Sequence, residues 1–242
     1  MPLLTLFTIC MMQAAVSIAA LESIFGKDDL DRQWNADFQS LYEKAVYTPH
    51  EIKEATEAKQ NLYDDFLRFS KCVAEVLVAQ LSEPPASWKI KPLKGAGHAG
   101  GEKFRVGNLF CKFARDDKRL YGGNDELAIK MAKNEIRCAN AVLRLRINSL
   151  HLSLMACYRI DGHAVVVTAL LPVSHDTLVY GCDNAAQGFD IRKTSVEMSD
   201  LIDRVAAQMG LQSHAVRGHP SELQVSIAVD CEGHASTEDG RF

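Results

Sequence analysis

The segment Gly95-Ala96-Gly97-His98-Ala99-Gly100 is a literal G-x-G-x-x-G. Glycines at that spacing let a backbone wrap closely around phosphate groups. A dinucleotide fingerprint needs a strand before the loop and a helix after it, so that the pyrophosphate meets the helix N-terminus. Here β-favouring residues follow the loop, which excludes the Rossmann arrangement. A protein-kinase phosphate loop does lie in a hairpin. On that reading Gly95, Gly97 and Gly100 cover a nucleotide, and Lys112 in the run Phe110-Cys111-Lys112-Phe113 pairs with Glu135 on the following helix. Ala128, Met131, Glu135, Cys138 and Val142 are spaced 3, 4, 3 and 4, which predicts a Glu135 carboxylate within an otherwise apolar stripe. A carboxylate there needs a partner or water. No H-R-D-x-x-x-x-N loop and no D-F-G follows, so a kinase catalytic lobe is missing. What is left of this reading is a nucleotide-binding relative of a kinase small lobe, set against a flexible glycine loop with a structural ion pair.

Other catalytic patterns are weaker. The eight histidines form no H-E-x-x-H, and no G-x-S-x-G occurs. Asp230, Glu232 and His234 alternate in a loop and could loosely bind a cation, but the pattern reads first as a solvated turn. None of the seven cysteines belongs to a C-x-x-C pair, so a zinc ribbon and a dense disulfide framework are both excluded. They read as small buried hydrophobes of a reducing compartment. The expectation is therefore no catalytic residues, no metal, no cofactor and no small-molecule substrate.

Charge is more informative by segment than in total. The 242 residues carry a formal charge of −4, which excludes a globally basic nucleic-acid binder. Residues 103–148, however, contain eleven basic and five acidic side chains between two acidic flanks. Lys103, Arg105, Arg115, Lys118, Arg119, Lys130, Lys133 and Arg137 make this an island able to neutralise RNA phosphates or another anionic surface. Internal pairing with the acidic flanks is the competing account. No aromatic cluster of the RNA-recognition type is apparent among these charges, so base-specific readout is not expected.

The elements that would position these residues follow from periodicity and turns. Residues 1–21 carry no charge and are long enough to reach across a bilayer, but they lack the basic flank of a signal or anchor. Residues 22–87 read as a helical arm. Trp34, Phe38, Leu41 and Ala45 share one face, and a second helix carries Ile52, Leu62, Phe66, Phe69, Val73 and Leu77. Pro84 and Pro85 close the arm. Residues 88–242 read as an α+β domain. Gly107-Asn108 and Asp161-Gly162 mark two hairpins, over 103–114 and 155–171. Between them a helix runs from Asn124, its N-cap, to Arg146. Another starts at the capping box Thr194-Ser195-Val196-Glu197 and stops at Gly210, and Leu223–Val229 reads as a last strand. Hairpins dominate over βαβ crossovers, so the fold class is α+β with a mainly antiparallel sheet, two packed helices and a preceding all-helical arm.

Several stretches in order resemble the Clu domain of clustered-mitochondria proteins. They are Leu120-Tyr121-Gly122-Gly123-Asn124-Asp125-Glu126-Leu127-Ala128 with Lys130 and Glu135, then Leu150-His151 through Met155-Ala156, Asp161-Gly162, Leu170-Leu171-Pro172 and Thr177–Gly181. Gly210-Leu211 to His214 and Glu232-Gly233-His234 to Phe242 continue the resemblance from about Gly101 to the last residue. Trp34-Asn35 with Phe38 is similar to the family's upstream segment. The resemblance implies a cytoplasmic, non-enzymatic role, in binding messenger RNAs of mitochondrial proteins, associating with translation machinery and keeping mitochondria dispersed. The implied partners are mRNA, ribosome-associated proteins and the mitochondrial surface. It also implies a chain cut short at its C-terminus by the family's standard, and leaves a secreted or membrane-anchored form, through residues 1–21, as the minor alternative.

Overall fold

In the computed structural model the described residues are 21–23, 26–94, 101–171, 173–182, 191–216, 223–228 and 231–235. They are helices plus mainly antiparallel sheets, an α+β fold with a helical N-terminal region. The chain divides into two compact units, one ending at Lys133 and taking back residues 154–170, the other holding 134–153 and 171 onward.

The first unit begins with the helices α1 (Lys27–Asp31), α2 (Trp34–Glu43) and α3 (Pro49–Ala79). Thr48 and Glu51 form a capping box around Pro49, so the long helix α3 starts where a fixed φ and two satisfied amides favour it. Trp34 and Phe38 are buried as expected, whereas Ile52 is exposed and Ala45 lies beyond the end of α2. Trp34 stacks on Phe69 and meets the edge of Phe66, each 5.7 Å between ring centroids.

This helical layer covers one face of a four-stranded antiparallel sheet of order β1-β2-β4-β3. The strands are β1 (Lys103–Val106), β2 (Leu109–Phe113), β3 (Met155–Ile160) and β4 (His163–Ala169). Both hairpins fall where their turn residues place them. Asp161 and Gly162 take φ of 46° and 81°, as the tight β3–β4 turn demands. The β1–β2 turn also closes α1: Asn108 donates from its amide to Leu30 O and from Nδ2 to Asp31 O, answering carbonyls a helix end leaves open. Gly107 is required there, because a Cβ would stand 2.2 Å from Leu30 O.

Alternation sorts the sheet residues. Phe104, Val106, Leu109, Cys111 and Phe113 are buried, while Lys103, Arg105, Phe110 and Lys112 point to the opposite face. That opposite face is partly covered by α4 (Asp125–Arg144), whose Ile129 and Ala132 pack on Ala114, Ala164 and Val166.

The second unit is built on β5 (Leu178–Cys182), paired antiparallel with β6 (Ile191–Lys193) and β9 (Gly233–His234). Helix α5 (Val196–Met209) supplies Met198 and Ile202 to a core with Tyr180 and Val225. Its N-cap is Ser195, whose hydroxyl accepts the Met198 amide, so the cap lies one residue later than the sequence motif suggested; Gly210 ends it in the left-handed region. The last strand expected over 223–229 shrinks to β8 (Gln224–Val225), paired with β7 (His214–Ala215), because the backbone bends at Ser226 and Ile227. Residues 1–20 lie outside the described residues; among those described, no helix is long and apolar enough to cross a membrane.

Candidate nucleic-acid interface

Lys118 and Arg119 stand on a loop that one carboxylate organises. Asp116 Oδ2 accepts the amides of Tyr121 at 2.8 Å, Gly123 at 2.7 Å and Asn124 at 3.2 Å. The Asp116 amide in turn donates to Asp125 Oδ1 at 2.8 Å. Burial pushes the Asp116 carboxyl up, but the amides of Gly123, Tyr121, Asn124 and Leu120 more than offset this and hold it below the usual carboxylate range. Arg119, Gly122 and Gly123 all take positive φ, which turns successive amides inward onto Asp116. With the backbone so fixed, Lys118, Arg119 and Leu120 project into solvent. Asn124 then caps α4 as expected, its Oδ1 accepting the Glu126 and Leu127 amides.

The sheet contributes a second group. Lys103 lies directly opposite Lys112, and Arg105 directly opposite Phe110. Like charges facing each other across strands repel. Burial first, and then the Lys112 charge, hold the Lys103 ammonium below its ordinary pKa. Arg105 is exposed, with Nε donating to Gly107 O at 3.1 Å. Lys130 and Lys133 are exposed on the first-unit part of α4, and Arg137 is exposed on its continuation in the second unit.

Arg115 is placed differently. It reaches Glu102 at 3.4 Å and the His163 ring nitrogen at 3.1 Å, and its guanidinium lies over Phe113 at 4.9 Å. Its side chain therefore braces the end of β2 against β4.

The apolar stripe expected around Glu135 is corrected. Ala128, Ile129 and Ala132 are the buried face of α4, while Met131, Glu135 and Cys138 are exposed. Small alanines let the helix lie close to Ala164 and Val166, so its larger side chains remain outside. Glu135 is therefore on the exposed side of α4. Gly95, Gly97 and Gly100 lie outside the described residues. The reading of the cysteines as buried hydrophobes holds for Cys111, whose thiol burial pushes far up, and fails for Cys138 and Cys231, which are exposed.

In the second unit Thr177 Oγ1 is 3.0 Å from His234 Nδ1, and His234 Nε2 is 3.5 Å from Glu232. A hydroxyl, an imidazole and a carboxylate in line suggest a nucleophile and its base. The Thr177 hydroxyl, however, already donates to Ser174 O at 2.9 Å and accepts the Ser174 amide at 2.8 Å. His234 is thus left to donate to Oγ1, the reverse of general-base geometry, and the chain serves to pin β9 onto β5. Asp230 lies outside the described residues, and among those described no group of three His, Cys, Asp or Glu side chains could hold a metal ion.

Sequence reasoning missed Asp116, although it had a signal, an aspartate ahead of a Gly-Gly pair whose turning backbone needs an acceptor.

The fold and this surface define an α+β protein whose basic side chains are displayed from an ordered loop, a sheet face and a helix. A model of the Clustered mitochondria family matches residues 33–242, and the chain belongs to that family. The match begins one residue before Trp34-Asn35 and so takes in α2 and α3 with the sheet. No curated protein and no solved structure matches the chain.

Proposed function

We propose that this member of the Clustered mitochondria family is a non-catalytic binding module that engages RNA, in the cytoplasm, at messages or ribosome-associated assemblies serving mitochondria. The observation that carries the reading is the loop held by Asp116, which presents Lys118 and Arg119 outward from a fixed backbone. Preorganised cations bind phosphates without first ordering the loop, so less conformational entropy opposes binding. Exposed Lys130 on the neighbouring helix extends the same charge.

The test is RNA binding at a series of salt concentrations. Charge reversal at Lys118 and Arg119 together is expected to weaken binding and to reduce the slope of log K against log salt by about two, one for each lost phosphate contact. An unchanged slope in the folded double variant excludes this loop as the RNA surface.

A further inference from the structure

We propose that Ser149, on the turn that follows α4, is a phosphorylation site for a protein kinase that reads arginine on the N-terminal side of its target. The proposal does not depend on RNA binding.

Arg144 and Arg146 stand five and three residues before this serine, and Leu150 follows it. A kinase groove lined with carboxylates takes such guanidinium groups through paired, charge-assisted hydrogen bonds, and an apolar pocket takes the residue after the serine. Arg144, Arg146 and Ser149 are all exposed. Arg144 is the last residue of α4, so the segment beyond it lies outside regular structure.

The turn presents the hydroxyl. The Leu150 amide donates to Ile147 O at 3.3 Å, which closes a four-residue turn with Ser149 at its third position. Ser149 takes φ 67° there and Arg146 takes φ 50°, both in the left-handed region that side chains other than glycine disfavour. Entry into an extended groove relieves both angles. Ile147, packed with Leu201 and Val205 of α5, is the residue that opposes this opening.

Ser195 has a similar sequence in a setting that withholds it. Arg192 lies three residues before it, with Lys193 next, and Val196 follows. The Ser195 hydroxyl, however, accepts the Met198 amide as the cap of α5 and donates to Glu197 at 3.0 Å. Arg192 is half-buried, with Nη1 donating to Leu178 O at 3.1 Å. Modification of Ser195 has to break both arrangements, whereas Ser149 caps no helix.

In the transfer, Ser149 Oγ bonds to the γ-phosphorus of Mg²⁺-bound ATP as the bridge to the β-phosphate breaks. ADP leaves, and the hydroxyl proton passes to the catalytic aspartate of the kinase. The product adds a charge of about −2 close in sequence to Arg144 and Arg146, the last two cations of the basic segment.

The test is labelling of the full chain by a purified arginine-directed kinase with Mg²⁺ and ATP, the sites mapped by mass spectrometry. Peptides of residues 140–154 and 188–200 are the references, so that each serine is scored against its own unfolded sequence. Ser149 is expected to take a phosphoryl group in the folded chain, at a rate within about tenfold of its peptide. Ser195 is expected to react in its peptide and to stay unlabelled in the chain. Arg146→Ala should slow labelling of Ser149 at least about tenfold, the loss of one charged contact, and Ser149→Ala should remove it at unchanged Tm. A folded chain that stays unlabelled at Ser149 while the 140–154 peptide reacts overturns the proposal. So does an unchanged rate in folded Arg146→Ala, or modification of Ser195 in preference to Ser149. If neither the chain nor the 140–154 peptide reacts, the arginine spacing is no kinase signal and the proposal falls as well.

Discussion

Asn35 offers the sharpest test of how the helical region and the sheet are joined. It lies one residue inside α2, and its side-chain amide donates to Ala169 O and Leu170 O at 2.9 Å each, while its Oδ1 accepts the Leu154 amide at 3.0 Å. One side chain so answers three backbone groups at the adjoining ends of β3 and β4, more than a hundred residues away. Each neutral hydrogen bond contributes about 1 kcal/mol net, so Asn35→Ala is expected to cost about 3 kcal/mol. At about 2–4 °C per kcal/mol for a chain of this size, the Tm falls by about 6–12 °C. Urea denaturation measures it, with the midpoint lowered and the m-value kept. Gln33→Ala, which removes only an exposed 3.5 Å contact, should stay within about 0.5 kcal/mol. Asn35→Asp separates geometry from size. It keeps the acceptor for Leu154 but turns a carboxylate toward two carbonyls, so it should be worse than Asn35→Ala at neutral pH. Those carbonyls raise the folded-state pKa of the new carboxyl, so its stability must recover as pH falls through that value. A loss below about 1 kcal/mol in Asn35→Ala would show that the helix is held by its apolar contacts alone.

Two further predictions test the turn and the loop. Gly107→Ala puts a Cβ 2.2 Å from Leu30 O at φ 55°; it should cost at least about 2 kcal/mol by urea denaturation and speed exchange of the Asn108 amide that bonds to Leu30. Unchanged stability would mean that α1 is not docked on the hairpin. Asp116 has a depressed folded-state pKa, so its stabilisation is present above the unfolded value and lost as pH falls through the folded one, below about pH 4. Asp116→Asn should flatten that part of the acid-unfolding curve and loosen the amides of Tyr121, Gly123 and Asn124 in hydrogen exchange. An identical acid limb in the two proteins would refute the assignment.

Local chemistry was legible where a few adjacent residues decide the outcome. Asp161-Gly162 needs two positive φ values and forms the expected turn, Asn124 caps α4, and Gly210 ends α5. The short strands β6, β7 and β9 were not legible, because pairs and triplets such as Gly233–His234 carry no periodicity and exist only through their partners on β5 or β8. The buried face of α4 was misread for a related reason. Two stripes share Ala128, and side-chain size favours the one with Met131 and Val142, yet close approach to Ala164 and Val166 selects the one with Ile129 and Ala132.

The same contrast runs through the candidate site. Its charges are visible in the sequence, since eleven cations among forty-six residues need no structure to be counted. Their division of labour is not. Arg115 and Lys118 are three residues apart, yet one is held by Glu102, His163 and Phe113 while the other projects from the loop, and only the backbone turn imposed by Asp116 separates their fates. Phe110 is a stronger case. Read along the chain, it is one more apolar residue in a strand. Its register partner Arg105 puts it on the face with the charges rather than the face with the core, and a shift of one residue would exchange it with Cys111. Which side chains of this hairpin join the core and which join the charged face is therefore decided by its register, which Gly107 and the carbonyl of Leu30 fix together.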